Sequence, residues 1–162
     1  MKIVHICLSG LYMDGWGYQD NMLAKYHKKA GHDVYVIANK FMYDNEGNYV
    51  KIDGVKYKQP DTDINGVKVV RIELADANRM LSGPAERVRY KGLYESLVSI
   101  DPDIIFLHNP QIMDTDSIAR FMKENNSSDK GRKVKLYVDS HSDYSNSGRN
   151  FLSKHLLYIF SK

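Results

Sequence analysis

The residues of this chain best suited to chemistry gather in three stretches. They are the turn Ser9-Gly10-Leu11-Tyr12-Met13-Asp14-Gly15-Trp16-Gly17-Tyr18-Gln19, the run His108-Asn109-Pro110-Gln111, and the loop opening Asp139-Ser140-His141-Ser142-Asp143. Glycines at 10, 15 and 17 let the turn take positive φ and bring its backbone close to a ligand. Free N–H groups at the start of the helix expected next favour an anion. The neutral rings of His108 and His141 can accept a hydrogen bond at one nitrogen and donate one from the other.

Each stretch follows a segment that reads as a strand. Residues 2–8 are nearly all apolar, as are residues 34–38 and 103–108, the pattern of parallel strands covered on both faces. Between the first two, Met22, Leu23, Tyr26 and Ala30 fall at one-face helical spacing, and Gly31 ends the helix. A βαβ unit results, with a right-handed crossover expected.

Residues 39–66 carry the turn signals Asn45-Glu46-Gly47-Asn48, Asp53-Gly54 and Asn65-Gly66, so an excursion with a small hairpin is expected, pairing residues 49–52 with 55–57. Residues 67–72 and 133–139 alternate and read as edge strands, while residues 84–100 read as a helix with Pro84 at its start and Asp101-Pro102 stopping it. Asp114 or Thr115 caps a further helix bearing Ile118, Ala119, Phe121 and Met122. An apolar helical pattern resumes over residues 151–160. The expected fold is an α/β doubly wound parallel sheet ordered 3-2-1-4-5, with helices on both faces. Ligands then bind beyond the carboxyl ends of the strands, where the first strand meets the fourth.

With 162 residues, 43% of them apolar and 27% charged, the chain has enough material for one globular core. A net charge of +3, with acidic and basic residues interspersed, argues against a nucleic-acid partner. The single cysteine, Cys7, lies inside the first strand and reads as a small buried hydrophobe in a reducing compartment. No apolar run reaches the roughly 18 residues of a membrane span and no secretory leader is legible, so a cytoplasmic location is expected.

The run Gly17-Tyr18-Gln19-Asp20-Asn21-x-Leu23-x3-His27-x3-Gly31-His32-x-Val34, followed by Asn65-Gly66-Val67-Lys68-Val69 and Pro102-Asp103-Ile104-Ile105-Phe106-Leu107-His108, resembles the amino-terminal domain of family 4 glycosyltransferases. The resemblance implies a single Rossmann-like domain over residues 1–162, the acceptor-side half of a GT-B transferase. It also implies retention of configuration and no metal or cofactor. The nucleotide-sugar donor is held mainly by a carboxyl-terminal domain whose paired-glutamate motif these residues lack. The acceptor is a glycan or a lipid-linked sugar, which leaves room for work at the inner membrane surface.

Carried onto this sequence, the resemblance makes His141 the catalytic residue near the reacting sugar. It places Gly15, Gly17, Tyr18, Gln19, His108 and Asn109 at the substrate. For the two glycines a tight turn and an approach to a sugar diphosphate are both open; His108 either satisfies backbone groups or lines the acceptor crevice. Arg79, Arg87 and Arg89 either meet an acceptor phosphate or form a solvated face. A dehydrogenase fits poorly because the G-x-G-x-x-G spacing is absent, and a receiver module fits poorly because Ser9-Gly10 stands where acidic residues are needed. The alternative is a non-catalytic Rossmann-like binding or scaffolding fragment.

Overall fold

The structure, a computed structural model, describes residues 1–8, 12–13, 15–43, 46, 49–52, 61–75, 89–110, 112–127 and 133–140. In chain order the elements are β1 (Lys2–Cys7), α1 (Gln19–Lys29), β2 (Asp33–Asn39), β3 (Phe41–Tyr43), β4 (Tyr49–Lys51), β5 (Asp61–Thr62) and β6 (Lys68–Leu74). They continue with β7 (Tyr90–Lys91), α2 (Leu93–Ile100), β8 (Ile104–His108), α3 (Thr115–Asn126) and β9 (Lys135–Asp139).

Seven strands form one mostly parallel α/β sheet with the path β5-β6-β2-β1-β8-β9. The pairs β6-β2, β2-β1, β1-β8 and β8-β9 are all parallel, which puts the carboxyl ends of five strands along one edge. On one face Val4, Ile6, Ile37, Ile105 and Leu107 pack with Leu93 and Leu97 of α2 and with Ile118 and Phe121 of α3. Full burial of each such side chain contributes about 2 kcal/mol. On the other face Cys7, Val34, Val36, Ala38 and Val69 pack with Ala24 of α1.

The strand at residues 67–72 is not the outermost element that its alternation suggested. β5 and β7 each pair with β6 antiparallel, so its far side is covered over part of its length by two-residue strands. Strands that short carry no periodicity to read. The hairpin also differs in partner: residues 49–51 pair with Phe41–Tyr43, which follow β2 after a single residue, and residues 55–57 lie outside the described residues.

The helix expected over 84–100 begins only at Leu93. Tyr90 and Lys91 are drawn into the sheet, where the buried Tyr90 hydroxyl donates to the Leu8 carbonyl at 2.7 Å, and Gly92 turns the chain at φ 84, a conformation that favours glycine. Arg89 therefore lies ahead of a strand, with its guanidinium on Asp116 at 3.1 Å; residues 79 and 87 lie outside the described residues. Among the described residues no helix is long and apolar enough to cross a membrane.

Candidate functional site

The parallel register sets His108, the last residue of β8, opposite Asp139, the last residue of β9. The amino end of α1 comes to the same edge: Gln19 Nε2 donates to Asp139 Oδ2 at 2.7 Å, and Asp20 Oδ1 lies 3.3 Å from His108 Nδ1. Asp139 Oδ2 lies 3.7 Å from that same nitrogen. Two carboxylates, with side chains 23% and 30% exposed, thus sit over a histidine that is 1% exposed. Beside them Asn109 takes φ 63, a left-handed conformation that asparagine tolerates better than most residues, and donates its N–H to the Asp139 carbonyl at 2.7 Å.

The turn from β1 to α1 brings up the rest of the edge. Gly15, Gly17, Tyr18 and Gln19 are all exposed, and the Tyr18 ring stacks on Trp16 with centroids 5.5 Å apart. Gly15 has φ 76, and an added Cβ would meet Ile64 Cδ1 at an ordinary 3.5 Å, so backbone conformation rather than space requires glycine there. Gly17 has open space around it and no positive φ. Buried Arg71 anchors the turn from below by donating to the Tyr12 carbonyl at 2.6 Å and the Asn39 carbonyl at 2.9 Å. The Tyr12 hydroxyl in turn donates to Asp63 at 2.8 Å, whose other oxygen accepts from the Asn65 and Val67 N–H groups.

Beneath the edge runs a line of imidazoles. His108 Nε2 meets His5 Nδ1 at 2.8 Å, and His5 Nε2 meets His27 Nδ1 at 3.0 Å. His5 is fully buried, stacks on Phe106 and has both ring nitrogens bonded to other imidazoles. Burial, then the neighbouring His108 and His27, hold its pKa well below the ordinary histidine value, so His5 is neutral at pH 7. His27, half-buried, is also lowered, by burial first and then by His32 and His108. The three rings turn their nitrogens onto one another rather than onto a common point, and no cluster of metal-ligand geometry occurs among the described residues.

No family model, curated protein or solved structure matches this chain.

Gly15, Gly17, Tyr18, Gln19 and Asn109 come together at the carboxyl edge, and His108 lies under its carboxylates instead of at the surface. It bonds to neither a ligand-facing position nor, in the contacts described above, a backbone group. His141 lies outside the described residues. The amino end of α1, expected to favour an anion, carries Asp20 in its first turn and faces Asp139 through Gln19, so negative charge already occupies that field. Cys7 is 1% exposed, and burial followed by the Asp20 carboxylate pushes its thiol well above its ordinary pKa. It is an inert core residue.

Sequence reasoning missed Asp20, Asp139, His5 and His27. One signal was present: a histidine at position 5 interrupts an otherwise apolar strand, and a buried polar side chain needs partners.

Proposed function

We propose that this chain is the acceptor-side, amino-terminal Rossmann-like domain of a retaining GT-B glycosyltransferase. On this reading the five parallel strands follow the 3-2-1-4-5 order, with β1 and β8 flanking the switch point. A nucleotide-sugar donor is held chiefly by a second domain, and the acceptor is a glycan or lipid-linked sugar met in the cytoplasm or at the inner membrane face.

The observation that carries the proposal is the pair of carboxylates, Asp20 and Asp139, poised over His108 at that edge, with Tyr18, Gln19 and Asn109 around them. Carboxylates accept hydrogen bonds from hydroxyls and repel a diphosphate, so this half of the cleft suits a polyol acceptor rather than the donor's phosphates. Of the two readings of Gly15 and Gly17, a turn that shapes the acceptor side agrees better with this charge than a diphosphate cradle does. Transfer with retention passes an oxocarbenium-like stage. It gains most from holding the acceptor oxygen against the anomeric carbon and from neutralising the departing diphosphate. The first task falls to this edge and to His141; the second falls to the donor domain. The resemblance implies no metal or cofactor in either.

The direct test incubates the purified 162-residue chain with UDP-glucose or GDP-mannose and a mixture of oligosaccharide acceptors. Half a cleft neither surrounds a diphosphate nor excludes water, so no transfer is expected, and nucleotide sugars should bind no tighter than about 1 mM. Robust sugar transfer by this chain alone would overturn the proposal.

A further inference from the structure

We infer that His27, His5 and His108 form a proton relay that runs under α1 from solvent to the Asp20–Asp139 carboxylates. The inference rests on the imidazole line itself and is independent of which ligand the edge binds.

The hydrogen count fixes the direction. Three neutral imidazoles have three N–H groups, and the line has three acceptors to satisfy: His5, His108 and the carboxylates. A bare His108 Nδ1 would set its lone pair against Asp20 at 3.3 Å and Asp139 at 3.7 Å, so that nitrogen carries the hydrogen. His108 Nε2 is then bare and accepts from His5 Nδ1–H across 2.8 Å. His5 Nε2 is bare in turn and accepts from His27 Nδ1–H across 3.0 Å. His27 Nε2 is left as the bare outer nitrogen, on a ring that is half-buried and meets solvent.

Such a line conducts. A proton bound at His27 Nε2 releases the His27 Nδ1 proton to His5 Nε2. His5 gives its Nδ1 proton to His108 Nε2, and His108 gives its Nδ1 proton to Asp20 or Asp139. At each link one N–H bond breaks and one forms, and the sum is one proton moved from solvent to a carboxylate, with the three rings left in the opposite tautomer. Both N···N distances lie in hydrogen-bond range, so no atom need travel far. Burial keeps His5 from storing the charge between hops. His5, His27 and His108 are positioning and relay residues; Asp20 and Asp139 are the groups that would meet a ligand.

The test is nitrogen-15 NMR of the full chain, reading ring tautomers and the exchange of the His5 ring proton with water. All three rings should be Nδ1–H tautomers at neutral pH. The His5 ring proton should exchange faster than the amides of its strand neighbours Val4 and Ile6, because hopping needs no opening of the sheet. Replacement of the His5 Nδ1 proton requires flow through the whole line, so closing either end should slow it by about tenfold while strand amides keep their protection. His27→Phe closes the solvent end, and Asp20→Asn with Asp139→Asn closes the other with side chains that hold their shape and take no proton. The second variant decides the matter if the first loosens the fold. Mixed tautomers, ring exchange that merely tracks the amides, or exchange indifferent to both closures would each overturn the relay.

Discussion

Replacing His5 with leucine should lower stability by about 2 kcal/mol, or ~5 °C in Tm, although the new side chain is apolar and fills similar space. The loss comes from what remains: His108, 1% exposed, keeps a ring nitrogen that has lost its partner and has no route to water. His27 is half-buried and recovers its bond from solvent. Pairing His5→Leu with His108→Leu should therefore destabilise less than the sum of the two, since the second change removes the orphaned nitrogen.

The same histidine gives stability a pH dependence of definite sign. His5 binds its proton less readily folded than unfolded, so the unfolded chain gains the proton first as pH falls. Stability is complete above the unfolded pKa of about 6.5 and declines below it, by no more than about 1.4 kcal/mol per pH unit for this one site. His27 adds a decline of the same sign. The groups facing this line are His108, Phe106 and Asp139 from the strands and Asp20 from α1, with His32 beside His27. Denaturant unfolding at about pH 7.5 and about pH 5.5 reads both effects, and His5→Leu should show the flatter profile. Equal slopes for the two proteins would assign the acid loss to other groups.

Replacing His141 with alanine, in an enzyme that joins this domain to its donor domain, should lower kcat roughly a hundredfold, about 3 kcal/mol of transition-state stabilisation. The strand that ends at Asp139 delivers the chain to the same edge as Gln19 and His108, and His141 follows two residues later. A histidine placed there orients a sugar hydroxyl through one nitrogen while the other is held by the loop. Turnover and Tm are read together: turnover should fall while Tm barely moves. A large drop in Tm with unchanged turnover per folded molecule would make His141 a structural residue.

The apolar strands β1, β2 and β8 were legible because a strand covered on both faces leaves little choice of residue. The inward face of α1 was not. Its apolar stripe, Met22, Leu23 and Tyr26, is half-buried or exposed, while Asn21 and Ala24 are buried and His27 reaches inward. Amphipathic reading assumes an apolar partner, and here the strip of sheet under the helix presents His5 and His108, so polar side chains point in. The start of α2 failed for a related reason: a tertiary pairing with β6 claimed Tyr90 and Lys91 from a helical pattern that ran through them.

At the site, spacing identified the edge but not the chemistry on it. The juxtaposition of His108 with Asp139 is a matter of strand register, and that of His108 with Asp20 depends on how far α1 leans over the sheet. Neither leaves a mark in local sequence. The proposal that this edge receives an acceptor sugar is tested most directly by titrating the nitrogen-15-labelled chain with oligosaccharides and, separately, with UDP-glucose. The account predicts that at least one oligosaccharide shifts the amide signals of Tyr18, Gln19, Asn109 and Asp139, that Asp139→Asn weakens the response, and that UDP-glucose leaves those signals nearly unmoved. Micromolar UDP-glucose binding at those residues, or an edge silent to every oligosaccharide, would contradict it.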